Sequence, residues 1–83
     1  MDLFGVSQGR VLAGEVKTSA AAFTEEQVVR DVEVSRLLGA DVHLMVCLEE
    51  LGPDLVALAT ESCREAGLEL RVMAGSALRP AGA

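Results

Sequence analysis

The 83-residue chain has no tryptophan, no tyrosine and two phenylalanines, Phe4 and Phe23. A base-stacking platform built on aromatic rings is thereby nearly excluded. Positive charge is scarce as well. Seven basic residues stand against 13 acidic ones, for a formal net charge of −6, which argues against a general nucleic-acid coat protein. Apolar runs are short: Leu44–Leu48 is among the longest, far below the roughly 20 residues of a membrane-spanning helix. Met1-Asp2-Leu3-Phe4-Gly5 has neither the basic nor the apolar region of a secretory signal. There are two cysteines, Cys47 and Cys63, and one histidine, His43. Their spacing fits neither a zinc site nor a disulfide framework. Free, buried thiols are expected, which suits a reducing cytoplasm.

What is present is an apolar fraction of 51%, too high for a disordered chain and enough for one small domain. Residues 2–6 and 10–18 read as strands joined through Ser7-Gln8-Gly9, a hairpin signature. Thr24-Glu25-Glu26-Gln27 has the form of a capping box, with two acids where the helix dipole favours them. Val28, Val29, Val32, Leu37 and Leu38 form the expected apolar face of that helix, and Gly39 ends it. Asp41–Cys47 reads as a central strand buried on both faces. Gly52-Pro53-Asp54 opens a second helix, with Leu55, Leu58, Ala59, Ser62, Cys63 and Ala66 on one face and Gly67 closing it. Residues 68–72 alternate as an edge strand. The expected fold is α/β: a mixed β-sheet flanked by helices in the order β-β-α-β-α-β, with parallel pairing across the helical crossovers. The domain is expected to span residues 1–74, with 75–83 a loose tail.

The hairpin carries the chemistry. A turn centred on Gln8-Gly9 pairs residues whose numbers sum to 17, so Ser7 faces Arg10, Val6 faces Val11, Phe4 faces Ala13 and Asp2 faces Glu15. Facing carboxylates repel. A divalent cation offsets that repulsion, and two hard carboxylate oxygens are what Mg²⁺ takes from a protein, leaving room for water and phosphate. Lys17, the only lysine, lies two residues beyond Glu15 on the same face. There it is suited to orient water or to stabilise charge on a phosphate.

Asp2, twelve intervening residues and then Glu15-Val16-Lys17 resemble the PD-(D/E)XK nuclease pattern of restriction-endonuclease-like and Holliday-junction-resolvase-like domains. The resemblance spans roughly residues 2–47 and includes a following helix and parallel strand. It implies a restriction-endonuclease-like core and divalent-metal-dependent hydrolysis of DNA phosphodiesters. It also implies Asp2 and Glu15 as ligands of Mg²⁺ or Mn²⁺, with Asp2, Glu15 and Lys17 as the catalytic set. Gln27 occupies a place where some subgroups carry a further polar site residue. The sequence departs from the family in having Met1 where a proline often precedes the Asp. Nothing here corresponds to the family's first core helix and strand. The expectation is therefore the C-terminal part of a longer domain, with an N-terminal segment or a second copy covering the sheet.

Other polar residues read more simply. His43 is expected to be a satisfied core or edge histidine, and Glu49-Glu50 a solvated loop. Arg30 and Arg36 are expected to pair with Asp31 and Glu33 at the surface, and Met45 and Met73 to fill the core. The alternative to a nuclease is a non-catalytic α/β interaction or dimerisation module on the same scaffold, with homo-oligomerisation expected either way.

Overall fold

A computed structural model describes residues 2–78. The elements are β1 (Leu3–Ser7), β2 (Arg10–Lys17), a 3-10 turn (Ala20–Ala22), α1 (Glu25–Leu37), β3 (Val42–Cys47), α2 (Pro53–Ala66), β4 (Glu69–Ala74) and a second 3-10 turn (Gly75–Leu78). The chain is α/β, with a four-stranded mixed sheet in the order β1-β2-β3-β4. β1 and β2 are antiparallel, whereas β2, β3 and β4 are parallel.

Local chemistry sets the ends of these elements. Gln8 and Gly9 both adopt positive φ, 54° and 77°, the twist that a two-residue hairpin turn requires. The resulting register pairs Ser7 with Arg10, Val6 with Val11 and Phe4 with Ala13, as the turn position predicts. Thr24 caps α1 by accepting the Gln27 backbone N–H at 3.2 Å. Gly39 closes the helix end in the left-handed region, and the Ala40 N–H returns to the Ser35 carbonyl. α2 begins with Pro53 at its first position and ends at Gly67.

The two crossovers run in the same direction along the sheet, β2 to β3 and β3 to β4. A right-handed turn each time puts both helices on one face. The core lies between that face and the helices: Met45 and Cys47 from β3, Val28 and Val32 from α1, Ala59 and Cys63 from α2, with Phe23, Leu68 and Ala74 at its margins. Both cysteines are free and buried, and burial pushes the Cys63 thiol up to about 11, so it is an inert core residue.

Several expectations need correction. The sheet-facing stripe of α1 is Val28, Asp31, Val32 and Ser35, one turn-spaced row. Val29, Leu37 and Leu38 fall beside it and are exposed. Asp31 is buried rather than at the surface, whereas Arg36 does pair with Glu33 as expected, its Nε donating at 3.0 Å. β3 is buried all along the helix side, through His43, Met45 and Cys47; on the other side Val42 is buried, but Leu44 and Val46 are only half-covered. Met73 lies on that open side and is exposed. Leu3, Leu12, Val16, Leu44, Val46 and Met73 share this uncovered face by register. At the edge strand β1 the helix-side residues are uncovered too: Phe4 is 61% and Val6 69% exposed.

Glu49 and Glu50 are not simply solvated. Glu49 Oε1 accepts the Ala20 backbone N–H at 2.7 Å, and Glu50 Oε1 accepts the Ser76 N–H at 2.9 Å. The loop after β3 thereby ties together the segments that follow β2 and β4. Gly75–Leu78 are ordered as a turn against it, unlike the loose tail expected there; residues 79–83 lie outside the described residues.

Gly14 marks the closest strand approach. A Cβ there would lie 2.1 Å from the Leu44 carbonyl oxygen of β3, a backbone atom that cannot move aside. Gly14→Ala is expected to destabilise the fold by about 1–3 kcal/mol. Gly5→Ala, where a Cβ meets nothing within 4 Å, should stay within about 0.5 kcal/mol of wild type. Urea midpoints of the two variants test this, and equal midpoints would contradict the close approach.

Candidate functional site

Four polar or charged side chains are buried among the described residues: Glu15 on β2, His43 on β3, and Asp31 and Ser35 on α1. All four lie where α1 crosses the β2–β3 pair. Buried polar groups are destabilising unless paired, so the pairing shows how this region is organised.

Asp2 lies just before β1, where continuing the hairpin register brings it opposite Glu15. Its Oδ2 accepts the Val16 backbone N–H at 3.3 Å, and its carboxyl is close enough to that of Glu15 for each to shift the other. The environments of the two carboxyls differ. Burial, the adjoining Asp2 carboxyl and the negative charge of Asp31 all raise the Glu15 pKa. The Glu15 carboxyl, the Val16 N–H and the Lys17 ammonium lower that of exposed Asp2. The two carboxyls titrate as a pair, with Glu15 the weaker acid and Asp2 the stronger. Lys17 stands next to Cys47 in the β2–β3 register and is close enough to Asp2 for its charge to be felt there. Asp2, Glu15 and Lys17 thus come together on one face.

Gln27 does not contact those three directly. Its Nε2 donates to Asp31 Oδ1 at 2.8 Å, one turn further along α1. Asp31 in turn is felt electrostatically by both Glu15 and His43. Asp31 and Ser35 are the residues that sequence reasoning missed. The available signal was their spacing from Val28 and Val32, which places all four on one helical row.

His43 is satisfied as expected, through a 2.6 Å hydrogen bond between its Nδ1 and Ser35 Oγ. Burial lowers its pKa, with the Asp31 charge opposing, so the ring is neutral near pH 7.

Among the described residues no group of three or more His, Cys, Asp and Glu side chains is placed to hold a metal ion. The acidic pair is the relevant donor set. Two carboxylates complemented by water and phosphate suit Mg²⁺ or Mn²⁺, which bind few protein oxygens. Among the described residues no helix is long and apolar enough to cross a membrane.

No protein-family model matches the sequence, and the curated proteins yield no significant match.

The His43 environment has a pH consequence. The unfolded ring takes its proton near pH 6.5, while the folded ring resists it. The stability from His43 is therefore full above about pH 6.5 and is lost as pH falls toward the lowered folded value. Glu15 acts with the opposite sign above its ordinary value of 4.5, so the difference between wild type and His43→Asn isolates the histidine. Melting temperatures from pH 7.5 to 5.5 should fall more steeply for wild type; parallel curves would contradict a buried neutral His43.

Proposed function

We propose that this chain is a nuclease-type domain that hydrolyses DNA phosphodiesters with a divalent metal, using a restriction-endonuclease-like core of the PD-(D/E)XK kind. The observation that supports this reading most directly is the facing, mutually perturbed Asp2–Glu15 pair with Lys17 close by. Asp2 and Glu15 are the residues that hold Mg²⁺ or Mn²⁺. When bound, the ion supplies charge neutralisation and polarisation of a phosphate oxygen. The ion binds the ionised form of Glu15, so affinity weakens in acid. The Lys17 ammonium faces the phosphate, stabilising charge that develops on the phosphorus oxygens and orienting the water that displaces the leaving 3′ oxygen. The α1 face over Glu15 keeps bulk water from that carboxylate, which strengthens every charge interaction there.

The acidic balance of the chain limits its grip on DNA. Affinity from elsewhere, through an N-terminal segment or a second copy, belongs to the proposal.

Two measurements test this reading. Mn²⁺ or Mg²⁺ should raise the melting temperature of wild type, and a hundredfold excess over Kd corresponds to about 2.7 kcal/mol. Glu15→Ala should abolish the rise. Lys17→Met should keep the metal response and lower nicking of supercoiled DNA by about 10²–10³-fold. Nicking unchanged by Lys17→Met would exclude the proposed role.

The uncovered sheet face favours a second reading, a non-catalytic module that pairs with another copy through Leu12, Leu44, Val46 and Met73. On that reading light scattering finds a dimer, Met73→Glu weakens it, and divalent metal leaves the melting temperature unchanged.

A further inference from the structure

Asp31 has a feature that the acidic pair lacks. It is 5% exposed, and its Oδ2 is buried without a hydrogen-bond partner, the only such side-chain atom found among the described residues. Its other oxygen is engaged, holding the Gln27 amide at 2.8 Å. The neighbouring Ser35 hydroxyl is occupied by His43, and among the described residues no arginine or lysine forms an ion pair with Asp31. A buried carboxylate oxygen without a donor destabilises a fold, and in native proteins it commonly signals a water or an ion. The position is also specific. Asp31 lies on the sheet-facing row of α1 with Val28, Val32 and Ser35, close enough to Glu15 for the two charges to interact. Gln27 holds one oxygen, and the second has no donor among the described residues.

We propose that Asp31 is a positioning residue of the cation site, its unpartnered Oδ2 accepting a hydrogen bond from a water in the hydration shell of the ion held by Asp2 and Glu15. This rests on the reading of Asp2 and Glu15 as ligands. It adds a third carboxylate that binds the ion only through water, as suits a cation that dehydrates reluctantly. It also gives Gln27 a task, to orient Asp31 rather than to touch the ion. Partners that orient a metal's immediate ligands typically change affinity by about 10–100-fold when removed.

The test is calorimetric titration of the 83-residue chain with Mn²⁺ alone, without DNA. Asp31→Asn keeps the shape and can still accept from Gln27, but presents N–H where Oδ2 accepted. Asp31→Leu replaces the unpaired charge by an apolar group beside Val28 and Val32 and guards against misfolding of the first variant. Both should bind Mn²⁺ about 10–100-fold more weakly than wild type, with metal-free melting temperatures equal to or above wild type. A purely structural Asp31 would instead lower the metal-free melting temperature and leave Mn²⁺ affinity alone. Wild-type affinity in both variants, with Glu15→Ala still abolishing binding, would overturn the role of Asp31 and leave the nuclease reading standing. No Mn²⁺ binding by wild type would overturn both.

Discussion

A right-handed crossover taken twice in the same direction governs this small domain. Because β2, β3 and β4 follow one another across the sheet, α1 and α2 have one face to occupy. That face is sealed and the other is bare. The same constraint leaves β1 beyond the reach of either helix, so Phe4 and Val6 stay exposed although they point to the helix side. An 83-residue chain has little surface to spare, and here its apolar residues are divided between a real core and an unfilled layer.

The helix that seals the sheet also concentrates polar groups beneath it. α1 lays Asp31 and Ser35, not only valines, against the sheet, opposite Glu15 and His43. Burial acts in opposite directions on the two kinds of group. It raises the pKa of Glu15 and lowers that of His43, since each neutral form is easier to bury. Asp2, exposed beside Lys17, stays charged. The two carboxyls are thus pushed apart in acidity, the surface one downward and the one underneath upward. Such separation of neighbouring carboxyls is common where acid chemistry occurs.

Much of the fold could be read from the residues. The element order and the hairpin register follow from a single turn at Gln8-Gly9, and Thr24, Gly39, Pro53 and Gly67 bound the helices where local chemistry says they should. The facing of Asp2 and Glu15 follows from the same arithmetic. What could not be read depends on tertiary contact. A charged residue in a helix defaults to solvent, so Asp31 looked like a surface partner for an arginine; only the docking angle of α1 buries it. Val29, Leu37 and Leu38 looked like core because they are apolar, yet helical geometry turns them away. Met73 looked like filler because the bare face cannot be foreseen without the handedness of both crossovers. Glu49 and Glu50 gained partners only because the ends of three strands meet at one rim.

The hairpin has a further consequence, for the order of events during folding. Asp2, Glu15 and Lys17 all belong to β1–β2 and its flanks, the one pairing in the sheet that is local in sequence; the others wait for a helix to cross over. Hairpins close in roughly 1–10 μs, whereas distant pairings are slower. The two carboxylates can thus meet while Glu15 is still hydrated and, apart from Asp2, titrates like any surface glutamate. The largest cause of its raised pKa arrives when α1 docks and removes the water. The groups assemble early and acquire their distinct character late, so the helix, not the hairpin, sets the moment at which the two carboxyls become chemically different.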